Sequence, residues 1–343
     1  MYKLVAQIID KRKIVGYQLM GSTGSLKEIR KEDVIRFESD IINCYLNNNG
    51  YLSLKEGLMS EVTKIPLSSF KSKNTPKKPY TIYVKSRDTY ITTASKGDQS
   101  KWKVGNKWVK ADTQGFEGLA EEFTSLFLSC IQNIGYVPYH TCYIKKDNKE
   151  ILRGCYSEDM FKNENEIFVT IHKLYEQHGL IFEDTLKGKP TKDRIIETIK
   201  YIKKYYNVDI TKYLVEILYI DKLIWNEDRH PSNLGLIKNI ETGKYRVTPI
   251  FDNGLAFLAR ANHWGNLLLH VAERNRKYEP FGNKQVSTLV KMYKHKLVID
   301  KALLDKKIEG YKNPLYQSQI VEQTKRILFK NLKLQEGKLW ERK

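Results

Sequence analysis

The sequence holds four cysteines, nine prolines and markedly fewer acids than bases, and each shortage excludes something. Cys44, Cys130, Cys142 and Cys155 form no C-x-x-C pair, and Cys130 falls in an apolar helical run, so a zinc ribbon or a disulfide scaffold is not expected and the thiols read as reduced and structural. No apolar run approaches 18 residues, which leaves no candidate membrane-spanning helix. Gln7 and Asp10 interrupt the start before a signal-peptide core could form, so the expected location is the cytoplasm, short of export by a route that needs no signal peptide. There is no internal repeat and no low-complexity tract. Acids number 40 against 59 Lys and Arg, a net charge of +19. The lysines are spread along the chain, which fits a solvated basic surface and admits a nucleic-acid or acidic-surface partner without specifying one.

What is present is enough for a globular protein of two or three cooperating lobes: 343 residues, 41% hydrophobic and 11% aromatic. Residues 2–9 and 13–20 read as strands and 31–37 as a short helix, giving a small N-terminal β-plus-α module over residues 1–70. It contains no constellation of catalytic residue types. Residues 71–79 carry Lys71, Lys73, Lys77 and Lys78 with Pro76 and Pro79, the composition of a linker. Beyond it, strands are expected at 80–84, 90–93 and 107–110, with a small-residue loop over 94–102. The run Phe116, Leu119, Ala120, Phe123, Leu126, Phe127, Cys130, Ile131 and Ile134 predicts one amphipathic helix reaching Gly135. Strands at 136–144, 151–156 and 167–171 complete an N-lobe sheet over residues 80–180. Residues 181–343 then read as an all-α C-lobe, with helices at 192–206, from Asp209 to the loop at 226, and at 284–297, 299–308 and 315–332.

The most specific stretch is Asn226-Glu227-Asp228-Arg229-His230-Pro231-Ser232-Asn233, followed after a hairpin by Phe251-Asp252-Asn253-Gly254. Strands over 234–237 and 245–250, joined at Glu241-Thr242-Gly243, would return Asp252 to the side of Asn233. Phosphoryl transfer from ATP asks for a carboxylate to orient the attacking hydroxyl, and for an amide oxygen and a second carboxylate to hold Mg²⁺ against the phosphates. Asp228, Asn233 and Asp252 are those three groups, with Asn233 and Asp252 as the metal pair. Lys110, at the end of an apolar strand, is the candidate for neutralising the nucleotide phosphates, and Glu121 the glutamate that holds it, ahead of Glu122 and Glu117. Asp221 reads either as a brace for the catalytic loop or as an exposed helical acid. His230 reads as a loop-fixing imidazole.

The order Asp228 before His230, the Asp-x-Gly at 252–254 and Gly97-Asp98-Gln99-Ser100-Lys101 resemble the HipA-like bacterial serine/threonine kinases, including the CtkA-type branch. The catalytic loop is also similar to that of phosphoinositide kinases. The resemblance covers about residues 80–330. It implies an α+β, two-lobed protein-kinase-like fold and an ATP- and Mg²⁺-dependent kinase acting on protein serine or threonine. It also implies a nucleotide site including Ser95, Gly97, Gln99 and Lys101, and autophosphorylation in the 92–100 loop. A cognate regulator or antitoxin is an implied partner. The serine that such relatives phosphorylate falls here at Ala94, between Thr93 and Ser95, and the N-terminal 70 residues depart from the longer subdomain of HipA toxins. Two other readings keep part of the pattern: a kinase of a small molecule or lipid head group, and a non-catalytic pseudokinase or basic nucleic-acid-binding module. The adenine-contacting hinge is expected within 168–174.

Overall fold

The computed structural model describes residues 2–10, 13–21, 26–30, 34–37, 51–54, 64–66, 80–86, 99–113, 115–147, 149–260 and 278–343. The chain divides into two compact units, one comprising Met1–Lys78 with His263–Leu267 and the other Pro79–Asn262 with Leu268–Lys343. Among the residues singled out above, Cys44, Thr93, Ala94, Ser95 and Gly97 lie outside the described ones, as do the linker 71–79 and the strand expected at 90–93.

In the first unit, β1 (Tyr2–Asp10), β2 (Lys13–Gly21) and β3 (Leu26–Arg30) form an antiparallel meander in that order. A second antiparallel sheet joins β4 (Val34–Phe37), β5 (Tyr51–Leu54) and β6 (Lys64–Pro66). The expectation of a helix at 31–37 is thus corrected where the chain is described. Val34-Ile35-Arg36-Phe37 carries two β-branched residues and an aromatic, and so short an apolar run shows no helical repeat that would outweigh them.

The second unit is two-lobed and α+β. Its N-lobe sheet takes β7 (Thr81–Val84), β8 (Lys101–Val104), β9 (Lys107–Ala111), β10 (Tyr139–Lys146) and β11 (Glu150–Glu158) in the order β7-β10-β11-β9-β8. All neighbours are antiparallel except β7 and β10. The loop expected over 94–102 therefore ends sooner: Lys101 and Trp102 already belong to a strand, since Trp102 buries its ring with Val109, Ile82 and Ile144 in the sheet's core. Gly105, at φ +60°, opens the two-residue turn between Val104 and Lys107, a conformation a side chain would resist. Helix α1 (Glu117–Leu128) packs on β10 and β11. It stops short of the expected Gly135, because Ser129 caps it and Ile131 bridges to Ile299. The apolar spacing continued through a turn that is buried for a different reason.

The chain leaves the five-stranded sheet after Glu158. Strand β12 (Glu166–Thr170), expected in the N-lobe sheet, pairs instead with β13 (Gly235–Asn239), which pairs with β14 (Tyr245–Val247). The segment joining the two sheets is therefore 159–165, and the window 168–174 falls within β12 and α2 (Ile171–Glu176). The C-lobe continues with α3 (Phe182–Leu186), α4 (Thr191–Tyr206), α5 (Thr211–Ile224), α6 (Gln285–Met292), α7 (Lys301–Ile308) and α8 (Ser318–Gln335). It is not all-α: β13 and β14 belong to it, and β15 (Leu297–Ile299) pairs in parallel with β16 (Trp340–Arg342). Helix α5 is buried from Leu214 to Asp221 without a polar face, as a helix enclosed on all sides must be. Asn331 of α8 donates Nδ2 to the Leu223 carbonyl at 2.7 Å and fixes the end that leads into the site.

Candidate active site

Helix α5 ends because Trp225 adopts a left-handed conformation, φ +58°, with its indole fully buried and the Asn226 N–H returning to the Asp221 carbonyl at 2.9 Å. A non-glycine residue held there costs on the order of 1 kcal/mol or more, which the packed surroundings must sustain. Asp252 has the same handedness at φ +60°. The two strained positions open the two segments that carry the candidate catalytic groups.

The loop after Trp225 is fixed by its own polar atoms. Asp228 N donates to Asn226 Oδ1 (3.2 Å), His230 N to the Asp228 carbonyl (2.9 Å), Asn233 N to the His230 carbonyl (2.9 Å) and Ser232 N to His230 Nδ1 (3.2 Å). Asn233 Nδ2 also donates to the Asp228 carbonyl, at 3.1 Å, which settles which end of that amide is the donor and leaves its oxygen as the acceptor. Strands β13 and β14, with Leu236 opposite Val247, carry the chain back to Asp252.

Asp221 is fully buried and braces this loop. Arg229 Nε donates to its Oδ2 and Nη2 to its Oδ1, both at 3.0 Å, while Nη1 reaches the Phe251 carbonyl at 2.7 Å and Nη2 reaches Asn253 Oδ1 at 2.5 Å. One guanidinium thus ties the end of α5, the candidate catalytic loop and the Asp252 segment together. Arg229 was missed in the sequence. Its signal was an arginine eight residues after a helical aspartate, readable only once both are known to be buried.

From the N-lobe, Lys110 Nζ donates to Glu121 Oε1 at 2.9 Å and to Asp252 Oδ1 at 2.5 Å. Glu121 Oε2 accepts the Asn253 N–H at 2.8 Å, so α1, β9 and the Asp252 segment meet at one carboxylate. Glu122 is turned elsewhere, accepting from Thr141 N and Asn313 Nδ2. Glu117 accepts from Gly115 N and pairs with Arg260. Burial disfavours the Lys110 ammonium, yet Asp252 and Glu121 outweigh it and hold its pKa well above the ordinary lysine value. Asp252 responds in kind: burial pushes it up, but Lys110 and Lys101 bring it well below the ordinary carboxylate range. Desolvation pushes Asp228 up; His230 pulls it back, with Nε2 3.9 Å from Oδ2, while Asp252 adds to the rise.

Lys101 stands opposite Lys110 across β8 and β9. Like charges directly opposed are unfavourable unless anions are near, and burial lowers the Lys101 pKa despite Asp252. Gln99 donates Nε2 to the Ala111 carbonyl at 3.3 Å. One cleft is lined by Gln99, Lys101, Asp228, His230, Asn233 and Asp252, with Gly254, Leu255 and Arg260 completing it. Ser100 is exposed beside it. His295 lies elsewhere, paired with Glu216.

No cluster of three or more His, Cys, Asp or Glu side chains able to hold a metal by itself occurs among the described residues. Mg²⁺ does not require one: it takes one or two protein oxygens and keeps substrate phosphates and water for the rest. The Asp252 carboxylate and the Asn233 amide oxygen in one cleft fit that donor set. The flanking cations fit a polyphosphate.

Two residues past Lys110, Asp112 accepts the Gly118 N–H at 2.7 Å and the Tyr316 hydroxyl at 2.8 Å, with Arg153 Nε 3.9 Å away. Burial raises its pKa to about 6 against the opposing pull of Arg153. The folded chain then keeps a proton that the unfolded chain has already lost near pH 4, so stability falls as pH rises from about 4 through 6. From the rise to about 6, the fall is on the order of 3 kcal/mol. Asp112→Asn should remove that fall, and thermal unfolding of both proteins between pH 4 and 7.5 checks it. Parallel curves would show that Asp112 does not titrate there.

No protein-family model and no curated protein matches the sequence. Among solved structures, the chain is similar to the Helicobacter pylori proinflammatory kinase CtkA, with a TM-score of 0.49 and 14% identity over 72% of this chain and 90% of that one.

Proposed function

We propose that this chain is an ATP- and Mg²⁺-dependent phosphotransferase that acts on serine or threonine hydroxyls of a protein substrate and on itself. The observation that carries the reading is Lys110 held between Glu121 and Asp252, the aspartate that lines one cleft with Asp228 and Asn233. A binding module has no need of a strained aspartate, a doubly paired lysine and a second, differently tuned aspartate together. Lys110 and Lys101 bind nucleotide phosphates, with Gln99 holding the end of the phosphate loop to β9. Asp252 and Asn233 would hold Mg²⁺, which neutralises charge on the phosphates when bound. Asp228 orients the acceptor hydroxyl and takes its proton; its raised pKa brings its basicity nearer to what such a transfer uses. The adenine would lie along 159–165, beside Met160, which packs on Val137, Tyr139 and Cys155.

Incubation with ATP and Mg²⁺ followed by mass spectrometry tests the reading on the chain itself. Phosphate is expected on Ser95, with Ser100 and Thr93 the other acceptors of that loop, and none of it in Asp228→Ala. A phosphate adds roughly −1.5 to −2 charges, which would oppose the approach of ATP phosphates, so activity should fall after modification. Phosphate confined to other segments, or equal in the inactive variant, would sink self-modification of this loop.

A further inference from the structure

Helix α1 carries two buried glutamates one turn apart, and each holds a cation that lines the cleft or pairs with its Asp252. Glu121 holds Lys110, as described. Glu117, equally buried, accepts from Arg260 Nε at 3.3 Å. Arg260 lies eight residues after Asp252, lines the cleft with Asp228 and Asn233, and its charge acts on Asp228. Its backbone is anchored to the entry of α1. Phe116 N donates to the Ala259 carbonyl at 3.2 Å, and the chain passes so close that a Cβ on Gly115 would sit 1.7 Å from that same oxygen. Only glycine fits there, and the approach fixes Arg260 relative to Glu117.

We propose that Arg260 binds the phosphoryl group being transferred, and that Glu117 positions it. This rests on the proposed function above. In the step, the bond from the γ-phosphorus to the β,γ-bridging oxygen breaks and ADP leaves with the electron pair. A bond from the γ-phosphorus to the acceptor oxygen forms, and the acceptor proton passes to Asp228. Negative charge spreads over the three equatorial oxygens of the moving group. Lys110 and Lys101 approach the nucleotide from the N-lobe side of the cleft, whereas Arg260 approaches from the segment after Asp252, beside the catalytic carboxylate. A guanidinium there adds charge-assisted hydrogen bonds to the γ-phosphoryl oxygens that a diphosphate cannot accept. Helix α1 would then set both cations with one rigid body, so that a displacement of α1 disables nucleotide binding and transfer together.

The test compares affinity for ADP and for a non-hydrolysable ATP analogue, each with Mg²⁺, by calorimetric titration of the full chain. Wild type should prefer the triphosphate. Arg260→Ala should narrow that preference about tenfold with ADP affinity unchanged, as loss of one charge-assisted hydrogen bond implies, and should lower the transfer rate at least about a hundredfold. Arg260→Lys should fall between. Glu117→Gln should narrow the preference in the same direction and add nothing in the Arg260→Ala background, an outcome that mere destabilisation would not produce; circular dichroism accompanies each variant. A preference indifferent to Arg260, or equal weakening for both nucleotides, would overturn the assignment while leaving the kinase reading intact. A folded wild type that binds neither nucleotide would overturn both.

Discussion

Asp228→Ala should lower phosphoryl transfer by about 10²–10⁴-fold, the worth of a positioned general base, with the fold and Mg²⁺-dependent nucleotide affinity preserved. The side chain is 47% exposed and makes no buried ion pair, so little packing depends on it. Asp252→Ala should lower turnover at least as far, but by a different route. Its carboxylate is one of two that hold Lys110, and it is the charged member of the proposed metal pair. Without it Lys110 keeps Glu121 at 2.9 Å, which preserves the N-lobe, while Mg²⁺-dependent tightening of nucleotide binding should vanish. Titrations with and without Mg²⁺, beside turnover, separate the two variants. Near-wild-type turnover in either would contradict the roles assigned.

Breaking the Asp221–Arg229 pair should have the largest effect on stability. Both side chains are 1% exposed, so removing either leaves a buried charge without its partner. The cost of that is typically about 3–5 kcal/mol, a large share of the stability of an ordinary domain. Arg229→Ala should cost more than Asp221→Asn, because Arg229 also donates to Phe251 O and Asn253 Oδ1, whereas asparagine retains an acceptor for Arg229. Replacing both by apolar residues of similar volume should recover much of the stability but not the activity, since the loop and the Asp252 segment would no longer be tied. Denaturant unfolding of the two singles and the double, with turnover measured alongside, checks both halves. A double variant that regained turnover would show that the tie is dispensable.

Much of the candidate site's arrangement could be read in the sequence because its groups come in short, ordered motifs. Asp228 to Asn233 spans one loop, and an apolar hairpin of evident length returns Asp252 to it. Glu121 was separable from Glu117 and Glu122 only in part, since all three suit the first turns of a helix. Sequence spacing does not show that Glu122 turns to Thr141 and Asn313, or that Glu117 meets Arg260. Arg229 and Arg260 escaped for the same reason: their partners are 8 and 143 residues away, and no periodicity relates them. Among the elements, the long amphipathic helices α4, α5 and α8 were legible from their repeats. Beyond the overruns of α1 to Gly135 and of α6 to 297, the errors fell on short segments: Val34–Phe37 taken as helix, β12 assigned to the wrong sheet, and β15 and β16 absorbed into an all-α lobe. A strand of three to five residues carries too few side chains to name its partner, which is decided by what else is near.

The most direct test of the account is transfer of label from γ-labelled ATP, with Mg²⁺, by wild type and by Asp228→Ala, followed by acid hydrolysis and separation of the labelled species. Phosphoserine or phosphothreonine formed by wild type and absent from Asp228→Ala is the predicted result. Label remaining in ATP with wild type, or appearing equally in both proteins, would contradict it.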